Sequence, residues 1–279
     1  MVDIEKIFIF ATKKILKMKE LVISSTQNPR VKAVVALQQK SAERRRTGLF
    51  VVEGRREVEH CMETGWEVES VFVCEEMAGE GCNIVATNIT PVTREVYEKM
   101  AYRGGTEGIV AVVKERKKGL EDLVLGEKPL IVVVERVEKP GNLGAILRSA
   151  DAAGVDAVLV CDALTDMYNP NLIRSSIGAV FTVPCVVCRS EECIQFLKER
   201  GVQILTAQLQ DSEEYYDVDM RQGTAIVMGT EATGLTEVWR KAADEHIRIP
   251  MLGRLDSLNV SVSTAILLYE AVRQRRVDG

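Results

Sequence analysis

The chain has 279 residues, 46% hydrophobic and 28% charged, a composition that excludes disorder or low complexity as its main state. Its longest apolar runs, such as 130–134, fall far short of the ~20 residues a membrane-spanning helix needs. The net charge of −5 hides an asymmetry: residues 1–48 carry eleven Lys/Arg against four Asp/Glu, and residues 49–279 carry twenty-five against thirty-seven. A local basic surface of this kind suits an anionic partner, although a solvated face has the same composition.

Residues 7–11 are apolar, but lysines follow at Lys13, Lys14, Lys17 and Lys19, and neither the apolar stretch nor the cleavage site of a signal peptide is present. Residues 1–18 read as an N-terminal extension, with Met18 as an alternative start. Residues 19–116 read as a small α/β or α+β domain. Thr26 or Asn28 caps a helix in which Val31, Val34, Val35 and Leu37 recur at helical spacing. Residues 41–46 are polar and basic. Residues 49–52 read as a strand, 55–64 as a helix ending at Gly65, 68–73 as a strand, 95–100 as a helix and 109–113 as a strand. Residues 117–128 are charged and read as a linker with one short helical turn.

Residues 129–279 alternate strands with helices. Strands are expected at 130–134, 157–160, 180–187, 202–207, 225–228 and 247–249. Helices are expected at 142–153, 169–176, 191–200, 237–243 and 260–273. The strands are nearly continuous apolar runs, which argues for a mostly parallel sheet covered on both faces.

Seven cysteines follow no regular spacing. Cys185 and Cys188 form a C-x-x-C with Cys193 nearby. A zinc finger needs a second ligand pair, and neither His60 nor His246 stands at the required spacing. The cysteines therefore read as buried, reduced and structural, with no metal, which fits a cytosolic compartment. Trp66 and Trp239 read as packing residues.

Three glycine-containing turns follow strands in the second half. They are Pro140-Gly141-Asn142-Leu143-Gly144-Ala145-Ile146-Leu147-Arg148, Gly229-Thr230-Glu231-Ala232-Thr233-Gly234, and the stretch from Ile249-Pro250-Met251 to Ser257-Leu258-Asn259. In an open α/β sheet, ligands bind outside the carboxyl ends of strands, where these turns fall. Neither a G-x-G-x-x-G fingerprint nor a phosphate loop is present.

Taken in order, Asn142-x-Gly144-x-x-x-Arg148, Gly229-Thr230-Glu231-x-x-Gly234-Leu235 and Ile249-Pro250-Met251 through Ser257-Leu258-Asn259-Val260-Ser261-Val262-Ser263 resemble the three motifs of the SpoU (TrmH-like) RNA ribose methyltransferases of the SPOUT superfamily. The resemblance covers essentially all of 129–275. Residues 19–113 also resemble the family's accessory substrate-binding domain, through 25–32, 44–48 and Phe50-Val51-Val52-Glu53-Gly54. The resemblance implies an α/β fold: a C-terminal SPOUT-type parallel sheet with a trefoil knot, plus a smaller N-terminal RNA-binding domain. It also implies a homodimer with the site completed across the interface, S-adenosylmethionine as cofactor, and 2′-O-methylated ribose as product.

In that reading Gly229, Thr230, Ile249, Met251, Gly253 and Leu258 bind the cofactor, with glycine at 229 and 253 allowing close backbone approach. Arg148, Asn142 and Glu231 are the catalytic candidates. A guanidinium stays charged and is a poor base, so Arg148 suits orienting the hydroxyl and stabilising a developing alkoxide. Six residues separate it from Asn142, so the two converge best with Asn142 in the loop or cap before the helix. Glu231 would orient Asn142 or Arg148, or cap the following turn. Ser257 and Asn259 would meet the target nucleotide or brace the knot, with Asn259 equally an N-cap for the last helix. Arg30, Lys32, Arg44, Arg45, Arg46 and Arg174 would neutralise RNA phosphates. Ribosomal RNA is the expected substrate. Transfer RNA, a catalytically silent RNA-binding relative, and a base-modifying enzyme of the same superfamily are the alternatives.

Overall fold

The computed structural model describes residues 22–79, 88–102, 107–231 and 233–277. The readings of residues 1–18, including the alternative start at Met18, lie outside them. The chain divides into two compact units between Glu115 and Arg116.

The first unit opens with α1 (Pro29–Gln39), capped by Asn28, whose side chain accepts from the Arg30 amide at 2.9 Å, with Pro29 at the first helical position. The basic stretch that followed without an assigned element is a second helix, α2 (Ser41–Thr47), stopped by Gly48 at φ +67°. Next come β1 (Leu49–Glu53), α3 (Arg55–Glu63), β2 (Val68–Val73), α4 (Glu75–Ala78), β3 (Ile89–Pro91), α5 (Arg94–Met100) and β4 (Ile109–Lys114). The sheet order is β1-β4-β2-β3, with β4 antiparallel to both neighbours and β3 parallel to β2. Val31, Val34 and Leu37 of α1 and Val96, Tyr97 and Met100 of α5 pack with Val51, Phe72, Val110 and Val112 of the sheet. Trp66 stacks edge-on against Phe50, a packing role.

In the second unit a 3₁₀ turn at Leu120–Asp122 precedes β5 (Leu130–Glu135), α6 (Pro140–Ala153), β6 (Ala157–Cys161), α7 (Pro170–Ser175), α8 (Ala179–Thr182) and β7 (Cys185–Cys188). Then follow α9 (Ser190–Glu199), β8 (Gln203–Ala207), β9 (Glu213–Glu214), β10 (Thr224–Met228), α10 (Glu237–Ala242), β11 (Glu245–Arg248) and α11 (Val260–Val277). The sheet runs β7-β6-β5-β10-β8-β11-β9, and every pairing is parallel. Its central strands are buried along their whole length, which is why they read as unbroken apolar runs. In α6, Leu143, Ile146, Leu147 and Ala150 form the buried stripe, and α11 packs against this helix.

The expected strand over 180–187 is corrected. Ile177 and Gly178 both take positive φ, and residues 179–182 then close a helical turn, with the Val183 amide bonded to the Ala179 carbonyl. Pro184 lacks an N–H and the strand begins only at Cys185. Asn142 is also relocated, from the expected loop or cap to the first turn of α6, which starts at Pro140. Among the described residues no helix is long and apolar enough to cross a membrane.

Candidate active site

The neighbouring strands β10, β8 and β11 end in loops that line a cavity of about 400 Å³. Its wall includes Ala207–Gln210 after β8, Met228–Glu231 and Gly234–Leu235 after β10, and Ile249, Met251 and Asp256–Leu258 after β11. This is the carboxyl edge of a parallel sheet, the expected location for a ligand. Gly229, Thr230, Ile249, Met251 and Leu258 all line it. Gly253 does not, and a Cβ there would meet nothing within 4 Å.

Gly229 is required by space. A Cβ at this position would lie 2.6 Å from the Gly234 carbonyl oxygen and the Leu235 amide nitrogen. The crowding arises because Thr230 and Gly234 exchange backbone hydrogen bonds of 3.2 and 3.0 Å, folding the loop back on itself. Gly234 closes the turn at φ +67°, a conformation glycine adopts without strain. The motif glycine in α6, Gly144, has a different function: a Cβ there would lie 2.9 Å from the Leu172 carbonyl oxygen, so it lets α6 pack closely on α7.

One carboxylate joins the three motifs. Glu231 Oε1 accepts from Asn142 Nδ2 and from Asn259 Nδ2, both at 2.8 Å, and Oε2 accepts from Lys139 Nζ at 2.5 Å. Asn259 Nδ2 also reaches Asn142 Oδ1 at 3.3 Å. The Lys139 ammonium, with Asn142 as a further donor, holds the Glu231 carboxyl below the ordinary carboxylate value. Asn259 also caps the last helix, because its Oδ1 accepts from the Ser261 amide at 3.0 Å. Of the two candidate partners, Glu231 bonds Asn142 and not Arg148.

Arg148 stands apart. It is exposed on α6, does not line the cavity and, among the described residues, has no hydrogen-bond or ion-pair partner. With Asn142 inside the helix, six residues turn the two side chains about 120° apart. Arg174 is likewise exposed, on α7. Ser257 lines the cavity and bonds Asp256.

In the first unit, Arg30, Lys32, Arg45 and Arg46 are exposed, with Arg30 over the Phe72 ring and Arg46 paired to Glu43. Arg44 is a correction. It is only 5% exposed, and its Nη1 donates to the carbonyls of Leu37 and Gln38 at 2.5 and 3.2 Å. Its charge closes the C-terminus of α1, where unpaired carbonyls need donors, and is not available to a phosphate.

Several site residues escaped the sequence. Gln208 and Arg240 line the cavity, and each holds a buried polar atom with no partner among the described residues, Gln208 Oε1 and Arg240 Nε. An orphaned acceptor and an orphaned donor in one cavity fit a ligand bearing both an ammonium and a carboxylate. Glu135, buried at the end of β5, accepts from the Thr236 amide and hydroxyl at 2.9 and 2.7 Å and so fixes the exit of the 229–235 loop. No local pattern in the sequence marks these three.

Comparison with known proteins places this geometry. Residues 129–269 match the SpoU rRNA Methylase family, and residues 28–111 match the MRM3-like substrate binding domain. A 23S rRNA (guanosine-2′-O-)-methyltransferase RlmB from Bordetella pertussis is 39% identical over 67% of this chain and 79% of its own. A 23S rRNA (uridine(2479)-2′-O)-methyltransferase from Streptomyces viridochromogenes is 31% identical over 90% of this chain and 92% of its own. Among solved structures, the SpoU methyltransferase AviRb from Streptomyces viridochromogenes, in complex with AdoMet, superposes with a TM-score of 0.83 at 29% identity, covering 91% of this chain and all of that one. A parallel sheet with two motif loops lining one cavity and all three motifs meeting at one carboxylate, together with these matches over both units, makes the chain a member of the SpoU rRNA methylase family.

Proposed function

We propose that this protein transfers the methyl group of S-adenosylmethionine to a ribose 2′-hydroxyl of ribosomal RNA. The observation that carries the reading is the Glu231 node, where Asn142, Glu231 and Asn259, one residue from each motif, meet beside a cavity lined by Gly229, Ile249, Met251 and Leu258. The bound cofactor supplies a methyl group already activated on a sulfonium. The protein's task is alignment and exclusion of water. Backbone groups around Gly229, Thr230, Ile249 and Leu258 hold the adenosyl part, and Arg240 Nε and Gln208 Oε1 suit the carboxylate and ammonium of its amino-acid end.

Arg148 orients the acceptor hydroxyl and stabilises alkoxide charge as the proton leaves. Exposed and outside its own chain's cavity lining, it serves the partner's site in a homodimer. The loops after β8, β10 and β11, closed by α11 packed on α6, suit the trefoil knot of this family. Arg30, Lys32, Arg45 and Arg46 of residues 19–116 meet RNA phosphates, and Arg174, Ser257 and Asn259 meet the target nucleotide's surroundings. Residues 117–128 link that domain to the methyltransferase domain at 129–279, and a ribosomal RNA substrate supports a cytoplasmic location.

The test supplies labelled S-adenosylmethionine with ribosomal RNA lacking ribose methylation and, separately, with unmodified transfer RNA. Label on ribosomal RNA is expected. Label confined to transfer RNA, or none from a protein that binds the cofactor, would reject the assignment.

A further inference from the structure

Away from the cavity, at the β7–β6 end of the sheet, three cysteines that the proposed reaction does not use come together. Cys161 ends β6, Cys188 ends β7 as its register partner, and Cys193 lies in the first turn of α9. Their three sulfurs lie within 4.8 Å of one another, and Cys161 Sγ and Cys188 Sγ are 3.8 Å apart. Cys161 and Cys193 are fully buried and Cys188 half-buried.

The spacing rules out a disulfide and fits both an S–H···S contact of reduced thiols and a metal centre. A disulfide holds its sulfurs about 2.05 Å apart, little more than half the distance found. In a tetrahedral zinc–thiolate centre the Zn–S bond is about 2.3 Å, which puts neighbouring sulfurs about 3.8 Å apart. We propose that Cys161, Cys188 and Cys193 bind one zinc ion through three thiolates, with the fourth position taken by water on the open side of Cys188.

The surroundings fit a held site. Ser190 bridges the shell, donating to Asp162 Oδ2 at 2.6 Å and accepting from Trp239 Nε1 at 3.0 Å, so the loops carrying the thiols are pinned. Cys185 takes no part. Three residues from Cys188 on one strand, it points to the opposite face, and burial pushes its thiol up to about 12. The apparent C-x-x-C is therefore split, and the third ligand comes from Cys161.

The test titrates the full-length, reduced, chelator-treated protein with Co²⁺ and then Zn²⁺. One equivalent of Co²⁺ should give a thiolate-to-cobalt charge-transfer band that Zn²⁺ displaces. C188S, at a half-buried position, should retain the unfolding midpoint of the metal-free wild type yet weaken Zn²⁺ well over about 100-fold, beyond the range that loss of an outer-shell partner costs. C185S should bind as wild type. The proposal is overturned by wild-type protein that takes up no stoichiometric metal, by C188S binding Zn²⁺ as tightly as wild type, or by a Cys161–Cys188 disulfide in protein isolated without reductant.

Discussion

Replacing Gly229 with alanine tests how the cofactor loop is built. The added methyl would stand 2.6 Å from the Gly234 carbonyl oxygen and the Leu235 amide nitrogen, both backbone atoms tied by the Thr230–Gly234 hydrogen bonds. No side chain can rotate away, so the 230–235 turn must shift by several tenths of an ångström. Forced overpacking of this kind costs about 1–3 kcal/mol. In a unit of this size that lowers the unfolding midpoint by about 2–4 °C per kcal/mol. The displaced turn carries Thr230, Glu231 and Leu235 of the cavity wall, so S-adenosylmethionine affinity should fall at least tenfold, equivalent to ~1.4 kcal/mol. Gly253→Ala is the matched control, since its Cβ meets nothing within 4 Å, and it should stay within about 0.5 kcal/mol of wild type. Thermal unfolding and equilibrium dialysis measure both effects. A Gly229→Ala protein with wild-type stability and cofactor affinity would refute the close-approach argument.

Further expectations follow from the same geometry. Glu231→Gln leaves one acceptor oxygen for the three donors Lys139, Asn142 and Asn259, so single-turnover methyl transfer should fall about 10²-fold while cofactor affinity holds; unchanged transfer would remove the node from the mechanism. Because the folded-state pKa of Glu231 lies below its ordinary value of 4.5, the carboxylate contacts persist as pH falls through the ordinary range and are lost only on passing the depressed value; infrared titration of the carboxylate against Glu231→Gln checks this. Arg148→Ala should bind cofactor normally but turn over poorly, and mixing it with Glu231→Gln should restore activity in heterodimers if Arg148 serves the partner's site. Arg44→Ala should destabilise the first unit by about 1–3 kcal/mol, because it strips donors from buried carbonyls, whereas Arg45→Ala should spare stability and reduce the salt slope of RNA binding by about 1.

The sequence exposed what depends on local pattern. Buried parallel strands read as apolar runs, Asn28-Pro29 marked a helix start, and the turns at 229–234 and 249–259 located the cavity because glycine and its neighbours mark their backbone conformation. It concealed what depends on packing between distant residues. Arg44 looked like its neighbours Arg45 and Arg46, yet only its position on α2 turns it onto the carbonyls of α1. Gln208 and Arg240 carry no motif and become notable only as orphaned atoms in one cavity. Residues 180–183 have strand composition, but positive φ at Ile177 and Gly178 and the missing N–H of Pro184 outweigh it. The thiol cluster was hidden because its members come from two registered strands and a helix, while the visible Cys185–Cys188 spacing pointed to the wrong pair.

The chemical identity of the product is the most direct test. Ribosomal RNA lacking ribose methylation, incubated with the protein and labelled S-adenosylmethionine, would be digested to nucleosides and separated by mass. A 2′-O-methylated nucleoside, from one position that resists alkaline hydrolysis, is the predicted result. Label on a base, with every phosphodiester still alkali-labile, would contradict the account.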